Sequence, residues 1–174
     1  MSCLSASAIA GLTSSIGASA MGAGRDDCPG AGAEPGSASY RTLSSATVCL
    51  LNRERRQRGE HPLGVDRRLG RAATAYARDM SAHGYFSHTS PTGQDPGQRI
   101  AHQRYRCRTS RCPLGENLAM STKPASPQVV VGMWMHSPDH RSNILYGGFR
   151  TIGLGVTPER GNEEPAIYVT EFGG

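Results

Sequence analysis

The run Thr151-Ile152-Gly153-Leu154-Gly155-Val156-Thr157, followed after a polar segment by Ala166-Ile167-Tyr168-Val169-Thr170-Glu171-Phe172, decides the fold class. In the first run Ile152, Leu154 and Val156 alternate with Gly153, Gly155 and Thr157. In the second, Ile167, Val169 and Glu171 alternate with Ala166, Tyr168, Thr170 and Phe172. A period of two is that of a β-strand, whose successive side chains point to opposite faces. The intervening Pro158 to Pro165 reads as a long hairpin loop, which makes the pair antiparallel.

Before Gly148 the apolar period is helical. Leu43, Ala46, Thr47, Leu50 and Leu51 mark a first amphipathic helix that turns polar through Arg53-Glu54-Arg55-Arg56 and stops at Gly59. Asp66 caps a second, whose Leu69, Ala72, Ala73, Tyr76, Ala77 and Met80 share one face and whose end is marked by Gly84. Asp95-Pro96 opens a short third helix through Ile100. Ser126-Pro127 opens a fourth, Gln128 to about His136, which is apolar on nearly every side and so expected to be buried. Trp134, Met133, Val130 and Val131 read as core, and Pro138 is expected to end this helix. Each amphipathic face needs an apolar partner, so helices flanking a small antiparallel sheet are the economical packing.

The chain has 174 residues, enough for one well-filled core and not two. Its formal charge is +5, and Lys123 is the only lysine, so the basic character is arginine spread along the chain. Without a basic run interleaved with aromatics this reads as a solvated surface and not a nucleic-acid footprint, with weak attraction to acidic cell-wall or membrane surfaces left open. No stretch approaches the about 18 apolar residues needed to cross a bilayer.

Residues 1–39 are rich in Gly, Ala and Ser, and by composition they supply no core. Ala8 to Leu12 followed by Ala18-Ser19-Ala20 reads as an export signal, but no basic residue precedes Arg25, so a disordered tail and a mis-assigned start codon are the alternatives. The domain is therefore placed at 40–174. With Cys3 in the leader, Cys28, Cys49, Cys107 and Cys112 remain, which allow three connectivities. We favour Cys107 with Cys112, closing a small arginine-rich loop, and Cys28 with Cys49, stapling the N-terminal arm onto the first helix; a zinc site would need two close pairs, and only Cys107 and Cys112 are close. Disulfides imply an oxidising compartment outside the cytoplasm.

No P-loop, dinucleotide fingerprint, nucleophile elbow or His-Glu-x-x-His helix is present. Three polar segments stand out instead: Tyr85-Phe86-Ser87-His88-Thr89-Ser90-Pro91, Gly115-Glu116-Asn117-Leu118-Ala119, and Trp134-Met135-His136-Ser137-Pro138-Asp139-His140-Arg141-Ser142-Asn143. In this order, with Leu50 to Arg55 before them and Ile152 to Val156 after, they resemble the bacterial secreted branch of the CAP superfamily. That superfamily comprises the cysteine-rich secretory, antigen 5 and pathogenesis-related class 1 proteins, which share the SCP domain. The resemblance implies an α+β fold, a three-layer α-β-α sandwich with a small central antiparallel sheet, and a further strand or two among residues 104–124. It also implies export and an open cleft; the chain itself is expected to be a monomer.

Residue by residue, the resemblance places His88, Glu116 and His140 in that cleft. Animal and plant members carry a second cleft glutamate where this chain has Ser137. His136 stands where bacterial members more often have asparagine, adding an imidazole at the rim. His88, His140 and Glu116 then form a candidate divalent-metal set, with zinc the favoured ion because imidazole donors suit it, weakly bound for want of the second carboxylate. Each residue also has a plainer reading: His88 as a turn residue, Glu116 as a backbone partner, and His140 as a brace for the turn after Pro138. Arg141 and Asn143 read as binding backbone around the same turn, and His61, His83 and His102 as surface residues. Three functions are compatible with this: a non-catalytic extracellular module binding a lipid or cell-wall component, a metal-assisted hydrolase with Glu116 as base, and an envelope scaffold with a vestigial cleft.

Overall fold

The computed structural model describes residues 27–107, 111–121, 125–157 and 165–174. Helix α1 (Tyr40–Arg56) opens at Ser39, whose hydroxyl accepts from the Thr42 N–H. Strand β1 (Gly64–Val65) leads into α2 (Arg67–His83), capped by the Asp66 carboxylate on the Arg68 and Leu69 N–H groups and ended by Gly84 at φ 65°. Helix α3 (Pro96–His102) begins with a capping box, Asp95 and Gln98 each accepting the other's N–H. Strand β2 (Leu114–Ser121), helices α4 (Pro127–His136) and α5 (Pro138–Leu145), and strands β3 (Thr151–Val156) and β4 (Ala166–Gly173) complete the chain.

The strands form one sheet in the order β1-β3-β4-β2. Strands β3 and β4 pair antiparallel, from Thr151 opposite Gly173 to Val156 opposite Tyr168. Strand β2 lies antiparallel to β4, from Leu114 opposite Gly173 to Ser121 opposite Ala166, and is the extra strand the family resemblance implied. The two-residue β1 runs parallel to β3, so the sheet is mixed at one edge.

Helices α1, α4 and α5 cover one face, burying Leu43, Leu50, Trp134 and Ile144 against Ile152, Leu154, Tyr168 and Phe172. Helix α2 covers the other, with Ala73, Tyr76, Ala77 and Met80 on Leu118, Ile167 and Val169. This is the expected α-β-α sandwich. Two glycines set the spacing of the second face. A Cβ on Gly153 would lie 2.1 Å from the Gly70 nitrogen, and one on Gly155 would lie 2.3 Å from the Ala73 carbonyl. The α2 backbone therefore rests directly on β3.

Four expectations change. Residues 28–38 are not inert: Cys28 and Pro35 are buried, Ala31, Ala33 and Ala38 pack on the core, and the Ala31 carbonyl accepts from the Gln128 N–H at 2.9 Å. Their small side chains fill a narrow space beside α1, which composition does not show. Pro138 ends α4 but opens α5 in the same step, since a missing N–H is harmless in a first turn, and Ser137 terminates one helix and precedes the other. Helix α4 is covered on one side only, leaving Val129 and Met133 half exposed, at 51% and 48%. Arg55, read as part of a polar run, is fully buried: its guanidinium donates to the carbonyls of His61, Ile144 and Tyr146, bracing the end of α5 against α1.

Both expected disulfides are present, Cys28–Cys49 tying the N-terminal segment to α1 and Cys107–Cys112 closing a small loop before β2. The hairpin loop 158–164 lies outside the described residues.

Candidate functional site

Strand β2 is one edge of the sheet, and its alternation sends Glu116 toward α2 and Asn117 toward α5. Glu116 is 6% exposed, and both its oxygens are engaged. Oε1 lies 2.7 Å from His88 Nδ1 and Oε2 lies 2.6 Å from Arg99 Nη2. A carboxylate partner places the proton on Nδ1, which leaves Nε2 as the unbonded nitrogen of an exposed ring. Arg99, on α3, is the organiser. It donates to the carbonyls of His88 at 3.0 Å and Gln94 at 2.8 Å, and its guanidinium lies over the Tyr76 ring at 3.3 Å. Tyr76 in turn donates to the Ser87 carbonyl at 2.5 Å. The segment carrying His88 is thereby held from both sides.

On the other side of β2, the Asn117 amide donates to the His140 carbonyl at 3.1 Å and accepts from Asn143 at 2.9 Å. Asn143 also donates to the Glu116 carbonyl, and the Trp134 indole N–H to the Leu118 carbonyl. Two helices thus occupy outward carbonyls of the edge strand. Burial and the nearby charge of His88 hold the His140 imidazole below its usual pKa, with Asp139 opposing in part. His140 is thus within electrostatic reach of His88.

A second carboxyl lies behind Glu116. Glu171 is its register partner on β4 and is fully buried. Because Glu116 and Leu118 turn their carbonyls outward, the Glu116–Glu171 pair is of the non-hydrogen-bonded kind, whose side chains lie closest. Neither Glu171 oxygen is reached by an N–H or O–H of the described residues. The two acids can therefore satisfy each other only if a proton sits between them. Burial first, and then the neighbouring Glu116 charge, push Glu171 well above the usual carboxyl value, with Arg99 opposing.

The structure brings His88 and Glu116 into contact and His140 within electrostatic reach of His88. His136 is exposed and bonded back to the Gly132 carbonyl at 2.7 Å, and Ser137 serves as the joint between α4 and α5. Among the described residues neither is hydrogen-bonded to His88, Glu116 or His140. His61, His83 and His102 are on the surface, as expected. Sequence reasoning missed Arg99 and Glu171. For Glu171 a signal existed, a charge on the strand face otherwise formed by Ile167 and Val169. Behind Arg99, between α2, α3 and the preceding segment, a cavity of about 530 Å³ is lined by Ala72, Tyr76, Asp79, Tyr85 and Arg99. Neither His88 nor His140 lines it.

The family profile described as CAP, cysteine-rich secretory protein family, matches residues 48–172. The chain belongs to that family. The CAP assignment agrees with 34% identity over 134 residues to the uncharacterized protein YkwD of Bacillus subtilis strain 168, covering 77% of this chain and 48% of that protein. This chain thus spans about half the length of that relative. An extracellular Bacillus anthracis protein containing an SCP domain superposes with a TM-score of 0.61 at 24% identity, covering 78% of this chain and 43% of the other. An outer surface protein of Borrelia burgdorferi gives a TM-score of 0.61 at 24% identity, covering 72% and 87%. These two likenesses establish the CAP fold.

Proposed function

We propose that this chain works outside the cytoplasm as a non-catalytic CAP recognition module, whose cleft at the β2 edge presents His88 and His140 to a polar ligand. The observation that carries this reading is the full commitment of Glu116 to His88 and Arg99. A carboxylate so engaged orients an imidazole; it is not free to activate water. Among the described residues no serine hydroxyl or cysteine thiol is bonded to an imidazole, so nothing resembles an activated nucleophile. Two disulfides support the extracellular setting.

With Glu116 engaged, His88 and His140 offer two imidazoles, and among the described residues no group of three or more His, Cys, Asp or Glu is placed to hold an ion. Catalytic zinc takes three protein ligands. Two imidazoles fall one donor short of such a centre. Zinc capture by two imidazoles alone is expected to be weak and to fade below about pH 6.

The test is hydrolysis of casein, p-nitrophenyl acetate and purified peptidoglycan by the disulfide-bonded chain beside His88→Ala. No turnover above the variant is expected; turnover that His88→Ala abolishes would make the cleft catalytic. Calorimetric zinc titration of wild type, His88→Ala and His140→Ala accompanies it, with weak binding expected in wild type only.

A further inference from the structure

The sheet has a second open edge, opposite the cleft. Strand β1 covers only Thr151 and Ile152 of β3, and beyond it the Tyr40 hydroxyl donates to the Leu154 carbonyl. Over this edge runs a groove of about 810 Å³ between the start of α1 and the outer flank of α2. Arg67, Arg71, Thr74 and Arg78 follow one another at spacings of four, three and four along α2, one helical face about 16 Å long, and Arg41 faces them from α1. The α2 arginines are exposed, and among the described residues none of these four arginines has an acidic partner. Arg71 alone has a side-chain bond, to Gln103. Among the described residues the one carboxylate lining the groove, Asp66, is already engaged by two N–H groups of α2. Ser44, Ser45 and Thr74 add hydroxyls between the guanidiniums.

Guanidiniums left without counter-charges along an open channel call for an extended anion, because phosphate and carboxylate accept their donors in pairs. The successive arginines Arg67 and Arg71 are about 6 Å apart along the axis, close to the repeat of a short phosphodiester-linked unit. Nucleic acid is the poorer match. Stacking of bases needs several free aromatic faces, and the groove holds one aromatic, Tyr40, tied by its hydroxyl to β3.

We propose that this groove binds a linear phosphodiester-linked polyol of the cell envelope, with Arg41, Arg67, Arg71 and Arg78 on its phosphates and Ser44, Ser45 and Thr74 on its hydroxyls. The site shares no residue with the His88–His140 cleft and borrows from the proposed function only the extracellular setting.

The experiment measures binding of a synthetic poly(glycerol phosphate) to the full disulfide-bonded chain across salt concentration. Four contacts to a flexible polymer predict a slope of log K against log salt near −3, a fall of roughly 50-fold between 50 and 200 mM. Arg67→Gln/Arg71→Gln is expected to weaken binding at low salt at least tenfold and to make the slope shallower by about 1.5. The charge-matched control Arg53→Gln/Arg141→Gln, outside the groove, is expected to leave the slope intact, and so is His88→Ala. Equal losses in the control would reduce the effect to net charge and overturn the proposal. Single-stranded DNA binding as tightly and with the same dependence on Arg67 and Arg71 would overturn it in favour of nucleic acid. A loss confined to His88→Ala would move the polymer to the cleft.

Discussion

The two faces of the sheet solve burial in opposite ways. Toward α1, α4 and α5, strands β3 and β4 present Ile152, Leu154, Tyr168 and Phe172, and the helices stand off at the distance those side chains set. Toward α2, the same strands present Gly153, Gly155, Val169 and Glu171, and the helix backbone comes down onto β3. The first face is a core of bulk. The second gains contact by removing side chains at one end, and at the other it buries two carboxyls and an arginine. Apolar bulk and buried charge are therefore concentrated on different sides of one sheet, and substitutions separate them.

The largest effect is expected at Gly153. Even an alanine Cβ there meets the α2 backbone at 2.1 Å, so Gly153→Ala forces the helix off the sheet, whereas Leu154→Ala leaves a cavity costing about 2–5 kcal/mol. Urea unfolding should rank Gly153→Ala as the more damaging, or show no folded protein; the reverse order would mean that α2 can lift from β3 at little cost.

Next comes Arg99→Met, which keeps the packing but strips the cation from Glu116 and Glu171. A broken buried pair costs about 3–5 kcal/mol. Because the penalty comes from carboxylate charge, the loss should be smaller at pH 5 than at pH 7.5. A loss equal at both would assign Arg99 a packing role only.

Glu171→Gln sharpens the comparison without disturbing shape. In the wild type Glu171 holds its proton in the folded state at pH values where the unfolded chain has released it. Its contribution is therefore full below the usual glutamate value and is lost as pH rises through the elevated folded value. Glutamine keeps a donor toward Glu116 and does not titrate, so melting temperatures should favour Glu171→Gln increasingly as pH rises from 4.5 to 8. A constant difference would show that no proton is shared.

The smallest effect concerns His140. Its depressed value means that the unfolded chain takes up a proton first as pH falls, so stability is present above the usual histidine value and declines below it. His140→Gln should flatten that acid slope, read from melting temperatures between pH 7 and 5, and an unchanged slope would place His140 in open solvent.

Local pattern sufficed for α1, α2, β3 and β4, because their apolar periods run long enough to name a helix or a strand and their caps, Asp66 and Gly84 among them, are local chemistry. Pairing the cysteines also began from the sequence, and the family resemblance singled out His88 and Glu116, which the structure brings into contact, and His140, within electrostatic reach of His88. Tertiary structure alone decided the rest. A two-residue β1 has no period to read, and an isolated helix such as α4 does not say which side its neighbours cover. Whether Arg55 lies on the surface or under α5 depends on residues 89 and 91 positions away. The meeting of Arg99, Glu116 and Glu171 rests on strand register and helix docking across 17 and 55 residues, and register is a property of the pair of strands, not of either one alone.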